Sequence, residues 1–222
     1  MQLLFLRRLI TPPKAALGIL SFVCLSERSR VRYLIPFSVL FVLSCIPYSD
    51  NPLTAPGQQP MDSSLCGTWF WKEEMASGYI HIGLDQDSKR LRLLMVEYKI
   101  DGELKVSEFS GHTSSLEGNR YLNLKWVRPA QDENTGYMFV KYAVGPASLG
   151  IALMDSTVAE RAINKGLLKG RVDEKDHSSS VHISEGREKL QKFILRKDKE
   201  LFPEMKYVQK LELPNKRSEQ TP

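Results

Sequence analysis

Four histidines, three cysteines and a few acidic clusters are the side chains of this sequence able to ligate a metal, attack a carbonyl or move a proton. His81, His112, His177 and His182 include no His-x-x-x-His pair, so none has the helical spacing that sets two imidazoles on one metal. His81 alternates with Ile80 and Ile82, and His182 with Val181 and Ile183, which places both on solvent-facing strand positions. Cys24 and Cys45 precede the folded part, leaving Cys66 as its only thiol. No disulfide can then form inside the domain, and cysteine-ligated zinc is excluded by count. Cys66 itself reads as a small apolar side chain rather than a nucleophile.

Other reactive patterns are missing too. Gly145-Pro146-Ala147-Ser148-Leu149-Gly150 lacks the strand-to-helix setting of a nucleophile elbow, and no glycine loop is built to cradle phosphate. Asp85 with Asp87, and Asp173 with Glu174 and Asp176, read as solvated turns, because calcium needs more oxygen ligands at regular spacing. The expectation is a protein that is not an enzyme and carries no cofactor and no metal.

Aromatic and aliphatic residues give the more specific signal. Trp69, Trp71, Leu124, Trp126, Val140, Tyr142 and Ile151 fall on the apolar faces of alternating segments, while Phe70 points the other way, to a position under a helix. Such residues either fill a barrel or line a pocket for one small ligand.

The elements that position them follow from period-two alternation punctuated by turns. Strands are expected at Gly67 to Glu73, Tyr79 to Leu84, Leu91 to Tyr98, Leu104 to Ser110, His112 to Leu116 with a bend at Gly111, Tyr121 to Trp126, Met138 to Val144 and Leu149 to Leu153. Asp85 to Lys89, Asp101-Gly102 and Glu117-Gly118-Asn119 separate them. Thr157-Val158-Ala159-Glu160 has the form of a capping box opening a helix that ends at Gly166 or Gly170. A short strand across His182 follows, then a second helix capped by Ser184 and closed at Phe202-Pro203. Met205 to Leu213 alternates again, with Met205, Tyr207, Gln209, Leu211 and Leu213 on one side, and can complete a barrel. The fold expected is mainly β, an antiparallel up-and-down barrel of about 8–10 strands with two helices inserted before the last strand. Those helices, Thr157 to Leu168 and Gly186 to Lys197, are available to cover a barrel mouth.

The N-terminal part is of another kind. Arg28, Arg30 and Arg32 precede an apolar run, Leu34 to Leu43, too short to span a bilayer, and Val42-Leu43-Ser44-Cys45 follows. This arrangement resembles the lipobox of bacterial lipoproteins. The resemblance implies that Cys45 becomes the first mature residue and carries the acyl chains. Residues 1–44 are then a signal or leader segment, with a true start at Val31 as one option; an uncleaved signal anchor and a cleaved, unlipidated export signal are the others. Residues 45–62 hold Pro47, Pro52, Pro56 and Pro60 without apolar periodicity and read as a flexible tether. Residues 63–213 are expected to form the domain, and 214–222 to be a disordered tail.

Leu65-Cys66-Gly67-Thr68-Trp69, at the head of the first long strand, resembles the Gly-x-Trp motif that opens lipocalin-like barrels. That resemblance implies that Trp69 packs across a closed end, and only by analogy that a ligand is bound. The formal charge of +5 does not bring nucleic acid into view, because residues 62–222 contain 25 basic and 24 acidic side chains and the excess lies in the leader. Two functional expectations remain. One is a lipid-anchored, non-enzymatic envelope module for interaction or structure, its protein partner unknown. The other is a carrier of a small apolar ligand such as a fatty acyl chain. Membrane attachment through Cys45 belongs to both. Ile46, rather than Asp, after the cysteine favours the outer membrane, facing the periplasm, over the inner one.

Overall fold

The computed structural model describes residues 46–127, 135–175 and 178–212. Cys45 with the whole leader, His177 and the tail 214–222 lie outside the described residues.

Eight strands close into an antiparallel barrel, as the alternation predicts. β2 (Gly67–Lys72), β3 (Ala76–Asp85), β4 (Arg90–Lys99), β5 (Leu104–Leu116), β6 (Asn119–Trp126), β7 (Met138–Val144) and β8 (Ser148–Leu153) follow one another as a meander, and β11 (Lys206–Lys210) closes it between β8 and β2. The excursion before β11 contains α1 (Ser156–Asn164), β9 (Gly170–Lys175), β10 (Ser178–Ile183) and α2 (Arg187–Leu201). With β1 (Tyr48–Ser49), β9 and β10 form a separate three-stranded sheet in the order β1-β10-β9.

Period two divides the barrel wall into two faces, and each has its own core. Trp69, Ile82, Leu91, Leu93, Phe109, Leu122, Leu124, Val140, Tyr142, Leu149 and Val208 fill the inner face. Outward residues of β6, β7 and β8, among them Tyr121, Phe139 and Ala152, pack instead against Ala159 and Ala162 of α1 and Leu190, Phe193 and Ile194 of α2. The helices therefore cover a side wall, not a barrel mouth as their sequence position suggested. The reason lies in that wall, whose outward residues are large and apolar and need burial. Phe70 is not under a helix either; its ring stands 5.2 Å from that of Tyr79 on the outer face of β2 and β3.

Several local expectations change. β5 runs through Gly111 without a break. A Cβ there would meet the Asn123 carbonyl oxygen at 2.4 Å, so the glycine serves close approach of β6. The cap of α1 is Asp155, whose Oδ1 accepts from the amides of Thr157 (2.8 Å) and Val158 (3.3 Å), rather than Thr157. Gly186, not Ser184, occupies the N-cap of α2. Asp173 and Glu174 belong to a strand, β9, paired with Ser180 and Ser179. In β11 the buried inward residue is Val208, while Tyr207, on the opposite face, is exposed.

The largest correction concerns the Pro-rich segment, which is a strap on the barrel rather than a solvated tether. Ile46, Pro47, Tyr48, Ser49, Pro52, Leu53 and Thr54 are all buried. Ser49 bridges Tyr137, just before β7, and Tyr48 and Ser49 pair in parallel with His182 and Ile183 of β10. Further on, the Leu53 amide donates to Asn123 Oδ1 at 2.7 Å, His112 Nε2 donates to the Thr54 carbonyl at 2.8 Å, and the hydroxyls of Thr54 and Ser114 are 2.6 Å apart. Prolines suit such a role because each lacks an amide that would otherwise need a partner when buried. His182 is covered by the strap, contrary to its expected solvent exposure: its ring stacks on Tyr48 at 4.6 Å and its Nε2 lies 2.6 Å from Asp50 Oδ1.

Candidate functional site in the barrel

All seven barrel residues singled out from the sequence lie on the inner face. Trp69, Leu124, Val140 and Tyr142 are buried in its apolar cluster, and Trp71, Trp126 and Ile151 pack against them half-buried. The two ends of the barrel differ, however, in how the interior is sealed.

One end is capped. Asp62 is the N-cap of a short 3-10 turn, Ser63–Leu65, whose Leu65 is fully buried. Gly67 then turns the chain into β2 with φ of 143°, a value that favours glycine. Trp69 lies across this end without solvent exposure, its indole N–H donating to the Leu65 carbonyl at 2.9 Å, with Lys210 Nζ 5.5 Å from its ring centre. Polar residues complete the cap. The Tyr142 hydroxyl donates to Asp62 Oδ2 at 2.9 Å, and Arg120 reaches the same oxygen at 3.1 Å.

These contacts fix the charge states at the cap. Burial alone would raise the Asp62 pKa, but hydrogen bonds from Ser64 and Tyr142 and the Arg120 charge outweigh it and hold the carboxyl below its ordinary value. Tyr142 is pushed well above the usual phenol range by burial and by the carboxylate it donates to. Cys66 is also raised, by burial and by the Asp62 charge, which keeps it a thiol rather than a nucleophilic thiolate.

The opposite end, where β2–β3, β4–β5 and β6–β7 connect, is the mouth. Trp71, Ile80, Met95, Trp126 and Leu153 line it half-buried, and Phe109 and Trp126 set their ring centres 4.3 Å apart. Lys206 reaches Glu73 at 2.9 Å on the rim. Ile46 packs into this same inner cluster, so the strap begins at the mouth where β7 starts.

Ser107 is the residue that the sequence reading missed here. It stands opposite Met95 on the inner face, is 3% exposed, and its hydroxyl is the one buried side-chain polar atom among the described residues without a partner. Counting alternate positions along β5 from Phe109 would have found it. Asp62 and Arg120 escaped notice because they are 58 positions apart and meet only on barrel closure.

A shallow pocket of about 210 Å³ on the outer wall, lined by His81, Asp85, Arg92 and Glu108 among others, holds titratable groups already engaged: Arg92 pairs with Glu108, Asp85 accepts from Ser88, and His81 bonds Thr68. No group of three or more His, Cys, Asp or Glu among the described residues is placed to hold a metal ion. No described helix is long and apolar enough to cross a membrane.

A closed antiparallel eight-stranded meander, opened by a 3-10 turn and Gly67-Thr68-Trp69, is compatible with a lipocalin-like barrel. No family model matches the chain, and neither the curated proteins nor the solved structures include a match.

Proposed function

We propose that the protein is a lipid-anchored module of the cell envelope, attached through Cys45 and acting through its barrel by binding rather than by catalysis. The observation that carries this reading is the place of Ile46, which is buried in the inner cluster at the mouth although it directly follows the lipobox-like Val42-Leu43-Ser44-Cys45. An acyl chain on Cys45 is thereby one residue from the barrel. The residue after the cysteine is not Asp, which supports outer-membrane sorting with the barrel in the periplasm. Labelled palmitate supplied to cells making the wild type and Cys45→Ala tests the anchor. Incorporation should be lost in the variant, and persistent labelling refutes the assignment. Intact mass of the unprocessed product decides between starts at Met1 and Val31.

A second reading, a carrier of a small apolar ligand such as a fatty acyl chain, has one observation in its favour. The partnerless Ser107 hydroxyl lies among apolar side chains near the mouth and would be satisfied by a polar group on a ligand. Native mass spectrometry of the purified protein distinguishes the two, since a co-purifying ligand favours the carrier and repeated failure to load one favours a filled barrel.

A further inference from the structure

We infer that the rim of the mouth is a membrane-contact surface, so that the barrel sits mouth-down on a lipid bilayer. This rests on the lipid-anchor reading above. Two neighbouring hairpins carry the rim, and the Ile100 amide of one donates to the Met75 carbonyl of the other at 3.0 Å. Their tips and adjoining outer wall expose large apolar side chains. Ile100 is 70% exposed, Val106 58% and Leu104 54%; Tyr98, in register with Leu104, and Met75 are exposed as well. Other apolar side chains, such as Leu84, Leu167 and Leu211, are exposed elsewhere, but Met75, Tyr98, Ile100, Leu104 and Val106 adjoin one another on these two hairpins, and apolar groups so gathered mark a contact surface.

The bilayer is the occupant because of where the chain enters. The strap reaches the barrel at this same end, through the Ser49–Tyr137 bridge and Ile46. Immediately before Ile46 in the sequence comes Cys45, the residue that carries the proposed lipid anchor. Ile46 and the apolar rim thus share one end of the barrel, and Ile46 is one residue from the proposed point of attachment. Charge indicates how the surface binds. With Lys206 beside them, the stretches 72–75 and 97–105 carry Lys72, Lys99, Lys105 and Lys206 against Glu73, Glu74, Glu97, Asp101 and Glu103, with Lys99 paired to Glu103 and Lys206 to Glu73. Hairpins without a basic excess are not drawn to anionic headgroups, so contact comes from apolar insertion into the interface and is insensitive to salt.

The test uses amide hydrogen exchange on the full-length protein bound to phosphatidylcholine vesicles, compared with the same protein in solution. Amides of 73–76 and 99–106 should exchange on the order of tenfold more slowly on vesicles, while the turn 86–89 at the capped end is unchanged. Ile100→Asp combined with Leu104→Asp should abolish that protection while the acylated protein still sediments with the vesicles. Both side chains are exposed, so unchanged circular dichroism verifies that the variant folds. Unchanged exchange at the tips, protection at 86–89 instead, or no vesicle-bound protein overturns the inference. Protection that rises with protein concentration without vesicles would reveal a second copy as the occupant and also overturns it. Acyl labelling of the same preparation reports separately on Cys45, so failure of the anchor and failure of the rim contact are told apart.

Discussion

Asn123→Ala tests whether the Pro-rich strap is part of the fold. Asn123 is on the outer face of β6 and has no solvent exposure. Its Oδ1 accepts the Leu53 amide at 2.7 Å, and its Nδ2 donates to Ser114 Oγ at 2.8 Å and to the His112 carbonyl at 3.2 Å. Truncation leaves the Leu53 amide buried without a partner, which costs about 1–3 kcal/mol. The void left by the amide adds roughly 1 kcal/mol more. Ser114 keeps its contact with Thr54, so no further orphan arises there. The total is about 2–4 kcal/mol, and with a urea slope of about 2 kcal/mol per molar the unfolding midpoint should fall by about 1–2 M. Tryptophan emission is a suitable probe because Trp69, Trp71 and Trp126 all belong to the inner cluster. Exchange at the Leu53 amide should accelerate in parallel. A midpoint shift below about 0.3 M with unaltered exchange at Leu53 would refute the reasoning, since a solvated tether is indifferent to Asn123.

Three further outcomes are expected. His112 lies below its ordinary pKa because burial disfavours the imidazolium, which the hydrogen bond to Thr54 only partly offsets, and the Arg90 and Arg187 charges add to the lowering. The unfolded chain therefore binds this proton more readily than the fold. Stability from this group is complete above about pH 6.5 and is lost as the pH falls through the lowered value, so His112→Gln should flatten the stability profile between about pH 7 and 5 in urea titrations. Asp198 of α2 accepts the Tyr121 hydroxyl at 2.7 Å and pairs with Lys141, fastening the helix to the barrel wall. Asp198→Ala should cost about 2–3 kcal/mol, the two side chains of the ion pair being slightly exposed, and should speed amide exchange across α2; a loss under about 0.5 kcal/mol contradicts that role. Ser107→Ala removes the partnerless hydroxyl and should raise stability by up to about 1 kcal/mol in ligand-free protein. A substantial loss would mean that the hydroxyl has a partner in solution.

Legibility of the fold depended on whether burial followed a local period. β2 to β8 have one face inside a barrel, so alternation exposed them, and the same period placed Trp69, Trp71, Leu124, Trp126, Val140, Tyr142 and Ile151 on one face. β11 shows the limit. Its inward positions are Lys206, Val208 and Lys210, and lysines near strand ends can bury their stems while the charged heads reach Glu73 or the Trp69 ring. The inward face therefore looks polar in sequence. β9 went unread for a related reason, because acidic residues on a strand beside a helical layer look like a turn. The strap was missed because its burial has no period at all. The sign of it was on the receiving wall, where His112, Ser114 and Asn123 alternate with barrel-facing residues yet are buried. Polar side chains at those positions need partners from outside the sheet, and the strap supplies them.

The strap also alters what a lipid anchor can do. The fifteen residues 46–60 in a polyproline conformation would hold a domain roughly 45 Å from its anchor and leave it free to rotate. Here Ile46 is already inside the inner cluster, and Leu53 and Thr54 are bonded to β5 and β6, so that reach is absorbed by the fold. If the proposed attachment through Cys45 holds, a domain joined this directly to its anchor presents one particular end to the lipid. The end at which the strap begins is the one where Ile100 and Leu104 are exposed, whereas Trp69 and the Asp62, Arg120 and Tyr142 cluster seal the other. Lengthening the connection separates cause from coincidence. Inserting a Gly/Ser stretch between Cys45 and Ile46 should leave acylation and stability intact but weaken vesicle protection at 99–106, because the rim would then engage the bilayer by its own apolar contacts alone.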